Sequence, residues 1–319
     1  MALQVSCPGC QTVCLVAEEL IGTAVYCSEC GMAFTVRPEP APTPAPAVEA
    51  PPAGAGIARL EIGWATSRGR VRDRNEDSFL VQHHCWCNRD LRQEVALIVV
   101  ADGMGSYGNG EKASGMVIRN LGQELLPLLN AVLLMESPDP AALNLGGKLL
   151  SAVREVNRLV YEHATRGDPN CRGMGATAEV VVVWNGRVWI THVGDCRVYH
   201  LRGDRLAQIT EDQTLVARMV ALGQLSPREA RTHPVRNEVT QGIGKRSDIE
   251  PNSYELVLTP RDWLVIACDG LHAHVDEGQL LETVRKAPPV APFVAQRLVQ
   301  LADQGGGSDN CTVVAVRAY

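Results

Sequence analysis

The chain has 319 residues, enough for one sizeable domain with a small appendage, and its 45% hydrophobic content is ample for a packed core. A formal charge of −6, from 30 basic against 36 acidic residues, argues against a general polyanion binder. No apolar run reaches the roughly 18 residues that span a bilayer, and no leader-type segment opens the chain, so the expectation is a soluble, cytoplasmic protein with no membrane partner.

In chain order, the first feature is a pair of knuckles, Cys7-Pro-Gly-Cys10 and Cys27-Ser-Glu-Cys30, separated by 16 residues. That spacing fits a tetrahedral zinc site of Cys7, Cys10, Cys27 and Cys30, and with Gly31 and Phe34 it resembles the short zinc ribbons that open many bacterial proteins. Disulfide pairing is the rival reading, disfavoured where cytosolic thiols stay reduced. Cys14 is a fifth cysteine outside the pattern. The first basic residue after Met1 is Arg37, while Glu18, Glu19 and Glu29 are acidic, so residues 1–37 lack the cations that nucleic-acid phosphates need. A structural or protein-docking role follows. Residues 38–57 are rich in Pro and Ala and read as an extended linker to a domain at 58–319.

Within 58–319, Gly69-Arg-Val-Arg72-Asp-Arg-Asn75-Glu76-Asp77-Ser78 sets a guanidinium and two adjacent acids just before a short predicted strand at 79–82. A second strand at 95–101 ends on Asp102-Gly103. Apolar periodicity predicts helices over about 111–134 and 142–165, and again near 290–304. Residues 179–184 and 187–193 flank Asn185-Gly186, a strong hairpin signal that runs into Gly194-Asp195. Further strands are expected at 196–201, 254–258, 263–268 (ending on Asp269-Gly270) and 311–316 (preceded by Asp309-Asn310). Residues 212–222 have helical spacing, and Ser226-Pro-Arg-Glu229 has the form of a capping box. Strand groups interrupted by helices argue for an α+β fold rather than a parallel βαβ one.

One Asp-Gly after a strand is ordinarily just a turn. Four aspartates, Asp102, Asp195, Asp269 and Asp309, each at a strand end, are a different matter: antiparallel strands can bring such ends to one edge, where converging carboxylates repel unless cations neutralise them. Hard oxygen ligands suit magnesium or manganese. Arg72 offers a planar fork of donors for a phosphate beside them.

Six segments, Arg72–Ser78, Val100–Gly105, Gly175–Thr177, Val193–Tyr199, Ala267–Leu271 and Ser308–Thr312, together resemble the metal-dependent protein serine/threonine phosphatases of the type 2C, or PPM, family, over roughly residues 58–319. The resemblance implies two antiparallel sheets packed face to face with helices outside, an α-β-β-α sandwich. It implies two Mn2+ or Mg2+ ions, with Asp102 bridging both and the Gly103 carbonyl on one. Asp269 and Asp309 would hold the first ion, Glu76 the second, with Asp77 beside it. Asp195 would join Asp269 in holding a weaker third ion, and Arg72 would bind the substrate phosphate. The implied reaction is hydrolysis of phosphoserine or phosphothreonine on proteins by a metal-bridging hydroxide, reversing a bacterial Ser/Thr kinase, with two cations roughly 3.5–4 Å apart stabilising the attacking and leaving oxygens. Met104 stands where many eukaryotic relatives have a histidine, which leaves the leaving-group acid unassigned, and Ser106 replaces a frequent glycine. Gln213 lies in the segment resembling the family's flap. His233 and the other seven histidines read as loop or core residues. A pseudophosphatase that binds phosphoproteins without turnover is the alternative, and a ribbon-directed nucleic-acid regulator is a weaker third.

Overall fold

The structure is a computed structural model that describes residues 2–6, 13–17, 23–27, 31–35, 59–88, 91–105, 109–133, 143–166 and 171–319. The chain divides into two units, Met1–Glu49 and Ala50–Tyr319. In the first unit β1 (Ala2–Ser6) pairs antiparallel with β2 (Val13–Ala17), and β3 (Ala24–Tyr26) with β4 (Ala33–Thr35). Cys27 is buried in the turn after β3; its carbonyl accepts from Gly31 N and its N–H donates to Met32 O, both at 2.9 Å. Cys7, Cys10 and Cys30 lie outside the described residues, as does the linker from 38 to 57.

The second unit runs β5 (Leu60–Ser67), β6 (Ser78–Asn88), β7 (Leu91–Ala101), β8 (Gly103–Met104), α1 (Asn109–Leu133), α2 (Leu145–Arg166), β9 (Gly175–Ala176), β10 (Ala178–Trp184), β11 (Arg187–Val193), β12 (Arg197–Arg202) and β13 (Arg205–Gln208). It continues with α3 (Leu215–Ala221), α4 (Pro227–Ala230), β14 (Asn252–Val257), β15 (Trp263–Ala267), α5 (Asp269–His272), α6 (Glu277–Lys286), α7 (Ala291–Gln304) and β16 (Cys311–Ala318). Two five-stranded antiparallel sheets form, in the orders β14-β11-β10-β7-β6 and β13-β12-β15-β16-β5, with β8 and β9 a separate short pair.

Strands covered on both faces read as unbroken apolar runs, and alternate residues serve different layers. Val95, Leu97 and Val99 of β7 pack with Leu121 and Leu125 of α1 and Leu149 and Val153 of α2. The intervening Ile98 and Val100 pack across the sandwich on Ile266 of β15 and Val314 of β16. On the far side Val265 and Val313 meet Leu280 of α6 and Leu298 of α7. The order of layers is therefore helix, sheet, sheet, helix, as expected.

The Asn185-Gly186 hairpin forms with both residues at positive φ (47° and 79°), the conformation that its sequence favours. The Ser226 capping box forms on a single turn, α4. The helix expected from 212 instead starts after Thr214, whose side chain accepts from Ala217 N, because Asp212 is drawn into an ion pair with Arg197. The strand expected at 79–82 extends to Asn88 by pairing along the whole of β7. Among the described residues no helix is long and apolar enough to cross a membrane.

Candidate active site

Strand register decides which residues meet. Ser78 pairs with Ala101, Ala178 with Val193, Arg197 with Ala267, Ala267 with Val313 and Ser67 with Cys311. Strands that finish there (β5, β7, β11, β15) and strands that begin there (β6, β10, β12, β16) thus share one end of the sandwich. Glu76 and Asp77 sit just before β6, Asp102 just after β7, Asp195 between β11 and β12, Asp269 just after β15 and Asp309 just before β16. All come to that end.

Their electrostatics show how close they are. Burial, reinforced by repulsion from Asp269, Asp77, Asp195 and Asp309, holds the Asp102 carboxyl well above its ordinary range. Burial and repulsion from Asp269 and Asp212 push Asp195 up to about 8. Burial pushes Asp77 up to about 7, partly offset by hydrogen bonds from Thr312 and Cys268. Asp269 rises to about 6 through burial and repulsion from Asp309, tempered by a hydrogen bond with Asp102. Arg72 Nη2 donates to Asp309 Oδ2 at 2.7 Å, a contact that raises the guanidinium's pKa, and its charge also acts on Asp102 and Asp269. Of a guanidinium's five N–H donors, Arg72 uses one on the described residues and stays half-exposed.

Glu76 reaches the cluster through its backbone. Its N–H donates to Asn310 Oδ1 at 2.8 Å and its carbonyl accepts from Ser114 Oγ at 2.6 Å. A Cβ on Gly103 would lie 2.2 Å from Gly110 O and 2.5 Å from Glu76 O, and one on Gly110 would lie 2.8 Å from Glu76 Oε2. Only glycines allow these three backbones to meet. The Glu76 carboxylate is thereby placed beside Gly103.

Several residues that hold the site carry no signal as ligands. Asn310 Nδ2 donates to the carbonyls of Arg68 (2.9 Å) and Arg74 (2.8 Å), so one buried amide fixes the whole loop that bears Arg72. Thr177 Oγ1 accepts from Asp102 N at 2.8 Å, while Thr177 N donates to Asp102 O at 2.9 Å. Thr312 Oγ1 donates to Asp77 Oδ2 at 2.7 Å. Gln213 Oε1 accepts from Gly194 N, and the ring nitrogen Nε2 of His272, whose pKa burial and Arg197 depress to about 4, bonds Asp195 O at 3.1 Å. A sequence clue was present in Thr177, Thr312 and Asn310: short polar side chains at the ends of otherwise apolar strands, all buried. Met104 packs toward Gly242, and Ser106 lies outside the described residues.

Among the described residues no three His, Cys, Asp or Glu side chains already close round one point that would hold a cation. The carboxylates form an open cluster instead, and their chemistry fits divalent ions. Asp77 Oδ1 and Asp269 Oδ1 are buried with no hydrogen-bond partner, which is costly for a carboxylate unless something positive is supplied. The donors are all hard oxygens, suited to magnesium or manganese.

The model of the family described as protein phosphatase 2C matches residues 66–312. The chain belongs to that family. It is 32% identical over 263 residues to the protein phosphatase PhpP of Streptococcus pneumoniae, covering 81% of this chain and 97% of the relative. Among solved structures, a Mycobacterium tuberculosis serine/threonine phosphatase, PstP/Ppp, is 31% identical and superimposes with a TM-score of 0.66, covering 81% of this chain and 98% of that one. The S. agalactiae serine/threonine phosphatase gives a TM-score of 0.69 at 29% identity, over 82% of this chain and all of that one. A structure of the PstP catalytic domain, similar at 30% identity with a TM-score of 0.64, holds two manganese ions. The protein phosphatase 2C match begins near the end of β5 and closes just inside β16, so it spans every acidic residue of the cluster.

Proposed function

We propose that this protein is a metal-dependent protein serine/threonine phosphatase, acting on phosphorylated proteins modified by a Ser/Thr kinase, in the cytoplasm. The observation that carries the reading is the gathering of Asp102 with Asp77, Asp195, Asp269 and Asp309 at one end of the sandwich, with Arg72 paired to Asp309 at their rim. Its family membership and the named phosphatases that it resembles support the same activity. Asp102, Asp269, Asp309 and Glu76, with the Gly103 carbonyl, would hold two Mn2+ or Mg2+ ions, and Asp195 with Asp269 a third. When bound, such ions supply positive charge for a phosphate dianion and lower the pKa of water at neutral pH.

The chain's own residues account for the remaining needs. Arg72 offers its unused donors to the equatorial oxygens of the phosphoryl group, where charge is greatest in the transition state. Asp77 Oδ2 is fixed by hydrogen bonds from Thr312 and Cys268, which leaves its buried Oδ1 as the oxygen available to a bound cation or its water. Asn310 and Ser114 hold Arg72 and Glu76 in one loop, so phosphate and cation sites are positioned together. Met104 offers no proton to the leaving alkoxide.

Phosphate release from a phosphothreonine peptide, measured with manganese, with chelator and with Asp102→Asn, tests the reading. Release should require both the metal and Asp102, falling by at least about a thousandfold in the variant. Metal-independent release, or full activity in Asp102→Asn, refutes it. For the first unit we propose that Cys7, Cys10, Cys27 and Cys30 hold a structural Zn2+ that shapes a protein-docking ribbon. The buried Cys27 and the tight turn to Gly31 at φ +70° are compatible with a ligand knuckle. Native mass spectrometry should find one zinc per chain, lost in Cys27→Ser.

A further inference from the structure

Residues 68–74 carry four arginines, Arg68, Arg70, Arg72 and Arg74, against one acid, Asp73, in a chain whose overall formal charge is −6. The usual reading of such a run is a solvated loop. Here the loop is pinned at the backbone while its side chains stay exposed. Arg70 N donates to Gly307 O at 2.7 Å, and Asn310 Nδ2 holds the carbonyls of Arg68 and Arg74. Gly69, at φ +74°, lets the chain pass so close that a Cβ there would lie 2.3 Å from Asp309 O. The strip therefore runs along residues 307–310, with Arg70 against Gly307, Arg72 on Asp309 and Arg74 anchored by Asn310.

The four guanidiniums have different employment. Arg72 is paired with Asp309, and Arg68 Nη1 donates to Asp73 O at 3.4 Å. Arg70 and Arg74 have no ion pair or side-chain hydrogen bond among the described residues, and both are exposed. They flank the residue proposed to grip the phosphate, two positions to either side. In an extended peptide, side chains two residues from the phosphorylated one lie roughly 7 Å along the chain, within reach of long exposed side chains beside Arg72. Unpaired cations fixed on a rigid rim select anions and steer their approach more than they add raw affinity.

We infer that Arg70 and Arg74 select phosphorylated segments carrying acidic side chains one or two residues from the phosphorylated one. The inference rests on the phosphatase reading above and names a substrate class for that site. The excess acid elsewhere in the chain would repel such a segment, so the strip also sets where it docks.

The test uses the full chain with manganese and three phosphothreonine peptides of equal length, flanked by Glu, Ala or Lys, with p-nitrophenyl phosphate as a substrate that meets Arg72 but carries no flanking residues for Arg70 and Arg74. The Glu-flanked peptide should show a KM about fivefold to tenfold below the Ala-flanked one, and the Lys-flanked peptide a higher KM than either. In the double variant Arg70→Gln, Arg74→Gln that difference should vanish while p-nitrophenyl phosphate turnover is unchanged. Raising ionic strength should shrink the difference in the parent protein. No preference in the parent, or a preference that survives in the variant, overturns the proposal. If neither the small substrate nor any peptide is hydrolysed, the phosphatase reading fails instead. Fluorescence anisotropy with the same labelled peptides then decides the strip on binding alone: preference for Glu flanks lost in the variant supports it, and equal binding overturns it.

Discussion

Asn310 is the residue on which most of the site's geometry converges. Its side chain accepts from Glu76 N and donates to the carbonyls of Arg68 and Arg74, and its backbone follows directly on Asp309. Asn310→Ala removes three hydrogen bonds and strands their partners, and should cost about 2–3 kcal/mol of stability. It should also raise KM for phosphopeptides more than it lowers kcat, because Arg72 loses its fixed loop; urea unfolding and steady-state kinetics read the two effects. The carboxylates give a pH prediction of defined sign. Asp269, Asp77 and Asp195 rise from an ordinary 3.8 to about 6, 7 and 8, so the metal-free folded chain binds more protons than the unfolded one between those limits. Their contribution is fully present below about pH 4 and is lost as pH rises through 6 to 8. Chelator-treated protein should therefore melt at a falling temperature from pH 5.5 to 8.5, and manganese should remove most of that slope.

At the scale of elements, the short β8–β9 pair matters beyond its size. It presents the Gly103 carbonyl beside Glu76 and packs against Gly110 at the start of α1. Gly103→Ala should drive a methyl into two carbonyls and cost about 1–3 kcal/mol. Calorimetric titration should find weakened manganese binding, with Asp102 still in place. Such contacts explain what could and could not be read from the chain. β7, β10, β11, β15 and β16 are legible because strands covered on both sides are continuously apolar, and the acids show because they interrupt such runs. The turn at Asn185-Gly186 is equally legible, since local chemistry alone decides it. β5 was not foreseen: Leu-Glu-Ile-Gly-Trp-Ala-Thr-Ser mixes polar and apolar residues, and becomes a strand by pairing with β16 and accepting α7, whose Pro292 N would lie 2.0 Å from a Cβ on Gly63. The parts played by Asn310, Thr177 and Gln213 depend on partners 19 to 242 residues away, which no local pattern records.

For the molecule as a whole, the two sheets share one core, and its side chains set the spacing between them. Ile98, fully buried between Val181 and Ile266 on neighbouring elements of that core, should cost about 2–5 kcal/mol on truncation to Ala, as measured by denaturant unfolding. The layer order was implied by resemblance alone; periodicity showed strands and helices but not which faces would meet. A single short path joins β11 to β12 across the layers. β11 belongs to one sheet and β12 to the other, yet only Gly194, Asp195 and Cys196 join them. That crossing has no slack: an inserted residue would displace Asp195 from Asp269, whereas the Asn185-Gly186 turn at the opposite pole carries none of the acids. Length change is thus barred at residues 194–196, while the long segment 209–251, which meets the same pole through Gln213 and Gly194, can change length without moving any acid of the cluster.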